Sequence, residues 1–242
     1  MGAGFQGANK MTTLKQMAAL LPERWQSELK RLHYGRQIAR GNFLTGEPEY
    51  RMLQQLLQAG DWVIDIGANV GHYTKKLSDI VGPMGRVIAF EPVPATFALL
   101  AANAQRFRNS NVTLINAAVS AGFDVVRMSI PQFASGLTNY YEAEVSASDN
   151  NGLAVLSVSI DSLSINHRIK LVKVDTEGHE AYVVAGMRHV IAAHHPVLII
   201  ETRSTELVSE ICAMGYTDER LPRSPNVLFW PAGLNVATPS TE

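Results

Sequence analysis

The run Trp62-Val63-Ile64-Asp65-Ile66-Gly67-Ala68-Asn69-Val70-Gly71-His72-Tyr73-Thr74, followed by Val87-Ile88-Ala89-Phe90-Glu91, constrains this chain more than any other stretch. The apolar run from Trp62 is too short for a buried helix and breaks at Gly67, after which helical spacing begins. The next apolar run delivers Glu91 about 20 residues on, the layout of a nucleotide-binding strand-helix-strand unit. The spacing predicts a nucleoside-containing ligand at the strand ends. The plainer alternative is an ordinary strand-to-helix connection, and the carboxylates Asp65 and Glu91 at strand ends weigh against it.

The glycine spacing separates nucleosides. Dinucleotide folds place a second glycine two positions after the first, so that backbone and pyrophosphate approach closely. Asn69 occupies that position here. Gly67-x-x-x-Gly71 permits a tight turn and close helix packing but lays no glycine floor under a diphosphate. A ligand with ribose and no phosphate fits better, and S-adenosylmethionine is one. Glu91 would accept from its ribose hydroxyls, and the turn would underlie its amino-acid part. An NAD-dependent oxidoreductase shares the carboxylate but is opposed by Asn69. A non-catalytic nucleoside-cofactor-binding protein is a third class.

With 46% hydrophobic and 18% charged residues over 242 positions, the chain can bury one large core, with a single α/β domain as the default. A formal net charge of −1 and the absence of a Lys/Arg block argue against a nucleic-acid partner. The lone Cys212 excludes an intrachain disulfide and is compatible with a reducing compartment. No stretch approaches the roughly 18 uninterrupted apolar residues of a membrane helix. A cytoplasmic protein with no membrane partner is expected.

Leu14, Met17, Ala18, Leu21, Trp25, Leu29 and Leu32 recur at helical spacing, with Pro22 dividing or opening a helix. This N-terminal extension would pack on the sheet edge, cap the ligand site or form a homodimer contact. A helix over 47–58 follows. Strands 61–66, 86–91, 112–117, 169–175 and 196–201 then alternate with helices 71–81, 94–107, 179–186, 187–194 and 204–213. Such alternation predicts a mostly parallel sheet covered on both faces. The closing strands 216–220 and 226–230 are joined by Leu221-Pro222-Arg223-Ser224-Pro225, too short for a parallel crossover, so the last strand should be antiparallel. Short strands are expected at 125–130 and 155–160. The polar stretch 132–152 between them reads as a substrate-facing cover or as disorder.

A second constellation lies in Ile169-Lys170-Leu171-Val172-Lys173-Val174-Asp175 and the following Thr176-Glu177-Gly178-His179-Glu180. Ligands of open α/β sheets bind outside the carboxyl ends of the strands, so Asp175 shares a rim with Gly67 and Glu91. Lys173 falls on the same strand face as Asp175 and needs a charged partner in an apolar strand. Glu201 ends the next strand, and Asn226 brings an amide. If a hydroxyl accepts a methyl group, Asp175, Glu177, His179, Glu180 or Glu201 would take its proton. For Glu180 the simpler role is to stabilise a helix N-terminus. Clustered oxygens could hold a divalent cation, but the spacing matches no dedicated metal motif, so a cation is not favoured.

Asp65-Ile66-Gly67-Ala68-Asn69-Val70-Gly71, Phe90-Glu91-Pro92-Val93-Pro94, the stretch from Lys173 to Glu180, and Ser224-Pro225-Asn226-Val227-Leu228-Phe229 together resemble the FkbM family of S-adenosylmethionine-dependent methyltransferases. The resemblance implies an α/β, Rossmann-like, seven-stranded sheet and methyl transfer to a hydroxyl of a small molecule such as a sugar or natural product, with S-adenosylhomocysteine as product. It implies that Asp65, Gly67, Asn69 and Gly71 cradle the methionine part and that Glu91 holds the ribose, with Ala68, Tyr73 and Pro92 also at the cofactor. Asn116 and Ala117 would lie beside the adenine, Asp175 with Glu177 would face the methyl group and its acceptor, and Glu201 and Asn226 match further family positions. The implied division is a leader and helical extension over 1–46, a methyltransferase domain over 47–231 and a flexible tail over 232–242.

Overall fold

In the computed structural model, residues 22–131, 143–145 and 152–233 are described. The expected leader, the helical repeat before Pro22, most of the expected cover at 132–152 and the tail beyond 233 lie outside the described residues.

Pro22 opens the first of the described helices: α1 (Glu23–Ala39) begins immediately after its fixed φ of −53°. Tyr34 from α1, Phe43 after it, and Val70, Leu99 and Phe107 form a separate apolar cluster that ties the extension to the main domain. Helix α2 (Pro48–Leu56) starts with proline in its first turn and buries Tyr50 and Leu53.

The main sheet holds seven strands. Its centre is β1 (Trp62–Ile66), flanked by β2 (Arg86–Phe90) and then β3 (Val112–Ile115) on one side. On the other side come β8 (Ile169–Val174) and β9 (Val197–Glu201). All of these neighbours pair parallel. The strand β11 (Asn226–Pro231) then runs antiparallel both to β9 and to the edge strand β10 (Tyr216–Arg220), as the short connection between them required.

Alternate residues of the central strands feed two cores. Ile64, Ile66, Val172, Val174, Leu198 and Ile200 pack on one face with helices α5 (Glu180–Ala185), α6 (Arg188–His194) and α7 (Thr205–Ala213), through Val183, Ile191 and Ile211 among others. Val63, Leu171 and Ile199 pack on the other face against α2 and α3 (His72–Val81), through Leu53, Leu77 and Val81. Strands apolar on both faces are what a helix-covered parallel sheet demands. Helix α4 (Pro94–Ala104) follows β2 and seats Leu100 against Ala68 and Ala89.

A second sheet was not anticipated. β4 (Ala118–Val119), β5 (Asp124–Ser129), β6 (Glu144–Val145) and β7 (Leu153–Val158) pair in the order β4, β7, β5, β6. The third strand of the main sheet stops at Ile115 rather than reaching 117, because the Asn116 amide turns away to donate to the carbonyls of Glu91 (2.8 Å) and Pro92 (3.0 Å). The chain then leaves the main sheet and enters the second one. No helix among the described residues is long and apolar enough to cross a membrane.

Candidate active site

The carboxyl ends of β1, β2 and β8 open into a cavity of about 270 Å³, lined also by Met128 and Val145 of the second sheet and by Ala143 next to it. Gly67 and Asn69 line it, with φ of 75° and 50°. The Asn69 N–H donates to Glu91 Oε2 and the Val93 N–H to Oε1, each at 2.9 Å. Glu91 is 5% exposed. Burial pushes its carboxyl up to about 7 against those two hydrogen bonds. Each oxygen keeps a second lone pair for a ligand donor, so the clamped carboxylate suits a vicinal diol.

Across the turn, Lys173 Nζ stands 2.8 Å from Asp175 Oδ2 and 5.0 Å from the Tyr73 ring centre. Burial pulls the ammonium down, but the Asp175 and Asp65 carboxylates outweigh it and hold Lys173 above its ordinary value. Asp65 is fully buried and accepts from Thr74 Oγ1 at 2.6 Å. Burial raises its pKa, and Lys173 counteracts.

The sequence-derived candidates divide by position. Gly67, Ala68, Asn69, Tyr73, Glu91, Pro92, Ala117, Asp175, Glu177 and His179 all line the cavity. Asp65, Gly71, Asn116 and Glu201 do not. Asp65 sits behind the turn, and Gly71 caps α3 with φ of 99°, where a Cβ would lie 2.7 Å from Leu100 Cδ1. Asn116 braces the segment after β2. Glu201, at the end of β9, has its carboxyl pushed up to about 7 by burial and by the charges of Asp175 and Glu177.

His179 faces Ser120, Nε2 to Oγ 2.9 Å, and stacks on Tyr182. Burial lowers its pKa, and that of His72, which also lines the cavity. Glu180 shapes the turn by accepting from the Thr176 N–H and hydroxyl and the Gly178 N–H. Asn226 donates to Glu49. Among the described residues, no three His, Cys, Asp or Glu side chains converge to hold a metal ion.

Two carboxylates escaped the sequence reading. Glu47 lines the cavity, accepting from the Tyr73 hydroxyl and, at 3.1 Å, from Thr45 Oγ1. Glu49 is fully buried, stands 3.3 Å from the Tyr73 hydroxyl oxygen and accepts from Asn226. Its spacing to Leu53 and Leu56 along one helix face was the available signal that it points inward.

The family model "Methyltransferase FkbM domain" matches residues 65–217. The Hexuronic acid methyltransferase AglP of Haloferax volcanii is 28% identical over 160 residues, covering 64% of this chain and 62% of that protein. Ribosomal RNA large subunit methyltransferase E of Methanothermobacter thermautotrophicus is 36% identical over 74 residues, 28% of this chain and 35% of that protein. Methyltransferase FkbM from Methylobacillus flagellatus KT shares the fold, with a TM-score of 0.53 at 20% identity over 71% of this chain and 44% of that one. The chain spans less than two thirds of the length of each of these three.

Proposed function

The chain belongs to the methyltransferase FkbM family, and from that premise we propose that it uses S-adenosylmethionine to methylate a hydroxyl of a small molecule such as a sugar. When bound, S-adenosylmethionine supplies an electrophilic methyl group on a sulfonium. Glu91 would accept from the ribose hydroxyls, and the Gly67 to Asn69 turn would underlie the methionine part.

The observation that carries this reading is the charge of the cavity. Glu47, Glu91, Asp175 and Glu177 line it, against Lys173 as the single Lys or Arg among the described lining residues. That lysine is already paired with Asp175, and the two lining histidines have lowered pKa values. An excess of carboxylate attracts a sulfonium and an ammonium and repels a pyrophosphate. The same charge disfavours NAD. His179, neutral and basic at pH 7, and Glu177 are the residues that would take the acceptor proton, and the similarity to a hexuronic acid methyltransferase supports a sugar-like acceptor.

Incubation with methyl-labelled S-adenosylmethionine and a panel of neutral sugars, hexuronates, phenols and RNA, read by mass spectrometry, tests the proposal. Label on a small-molecule hydroxyl is expected. Label on RNA alone, or binding of the cofactor with no transfer to any class of acceptor, would contradict it.

A further inference from the structure

Glu47 lies outside the residues that match the family model, yet it lines the same cavity as Gly67, Asn69 and Asp175. Its setting differs from that of the other acids there. Glu91 is clamped by two backbone N–H groups at the end of β2, and Asp175 is paired with a lysine. Glu47 instead receives two neutral hydroxyls, those of Tyr73 and Thr45, one on each carboxylate oxygen. Hydroxyl donors orient a carboxylate without cancelling its charge.

The Tyr73 hydroxyl in turn lies 3.3 Å from the buried Glu49, which Asn226 holds. The side chain of Glu47 is thus positioned by a chain of contacts that reaches from the first turn of α3 to β11. It contributes to holding Lys173 charged, and it raises the Glu201 carboxyl. It therefore adds its charge to the part of the rim where β1 and β8 end.

We infer that Glu47, oriented by Tyr73 and Thr45, is a binding residue for the cationic amine of the cofactor's amino-acid part. This rests on the reading of the cavity as an S-adenosylmethionine site. A primary ammonium needs charged or carbonyl acceptors once it leaves water. The Gly67 turn would underlie that part of the ligand, Glu91 is taken up at the ribose, and Asp175 is shared with Lys173. The segment joining α1 to α2 would then act as the wall that distinguishes a ligand with an amino-acid tail from a bare thioether nucleoside.

Calorimetric titration of the full chain and of Glu47→Gln with S-adenosylhomocysteine and with 5′-methylthioadenosine, which has the nucleoside but not the amine, tests this. The expected result is about a tenfold or greater loss of affinity for S-adenosylhomocysteine in the variant, one charge-assisted hydrogen bond's worth, with 5′-methylthioadenosine unchanged. A thermal melt of the variant confirms that it is folded. Equal affinity of both proteins for S-adenosylhomocysteine would overturn the inference and leave the methyltransferase reading standing. Parallel losses for both ligands would overturn it too, by reducing Glu47 to a structural role. Failure of the wild-type chain to bind S-adenosylhomocysteine would remove the underlying reading itself.

Discussion

A Cβ on residue 67 would lie 1.8 Å from the carbonyl oxygen of Asp175, so the turn after β1 and the end of β8 touch backbone to backbone. Gly67 also holds a φ of 75°. Gly67→Ala should therefore cost about 2–5 kcal/mol, from the left-handed backbone and the overlap together. Urea denaturation measures it, and a loss below about 0.5 kcal/mol would mean the turn can open freely.

Replacing Lys173 by Met should be more damaging than the exposure of the ion pair suggests. Lys173 is 4% exposed and compensates the fully buried Asp65 as well as Asp175. Removing one partner of a buried charge group typically costs about 3 kcal/mol or more. The deficit should shrink as pH falls, since a protonated Asp65 needs no cation. A deficit independent of pH would show that packing, not charge, is what the lysine provides.

Glu91 links stability to pH. Its carboxyl moves from 4.5 in the unfolded chain to about 7 in the folded one. Between those values the folded state holds a proton that the unfolded state has released, so this contribution is present below 4.5 and is lost as pH rises through about 7. Glu201 is shifted upward in the same way. The unliganded chain should lose stability between about pH 4.5 and pH 7, and Glu91→Gln should flatten the profile. Affinity for S-adenosylhomocysteine should run the opposite way, rising as Glu91 ionises into a stronger acceptor. Parallel pH profiles of the wild type and Glu91→Gln would refute this assignment.

Asp175→Asn preserves the shape and much of the hydrogen bond to Lys173. Cofactor affinity should stay within about threefold, while methyl transfer falls by about a hundredfold, because the carboxylate is proposed to face the methyl group and align its acceptor. Calorimetry and label transfer separate the two. Unchanged transfer would confine Asp175 to pairing with Lys173.

Much of this site could be read directly from residue order. Gly67, Glu91 and Asp175 each follow an apolar run, and a parallel sheet carries such positions to one edge. Lys173 demanded a carboxylate by its burial alone, and Asp175 lies 2.8 Å away. What escaped depends on contacts with little local signature. Glu47 and Glu49 are defined by Tyr73, in the next helix, and by Asn226, 177 positions beyond Glu49. The second sheet is built from strands as short as Ala118–Val119 and Glu144–Val145, too brief for periodicity to show. His194 stands in the last turn of α6, where the helix dipole favours a cation. Its Nδ1 instead accepts the Ile169 N–H at 3.1 Å, and burial lowers its pKa.

We propose S-adenosylmethionine as the ligand of the cavity at the ends of β1, β2 and β8. Calorimetric titration of the full chain at neutral pH with S-adenosylmethionine, S-adenosylhomocysteine and NAD tests it most directly. Saturable binding of the first two and none of NAD is expected; binding of NAD with no response to the other two would contradict the assignment.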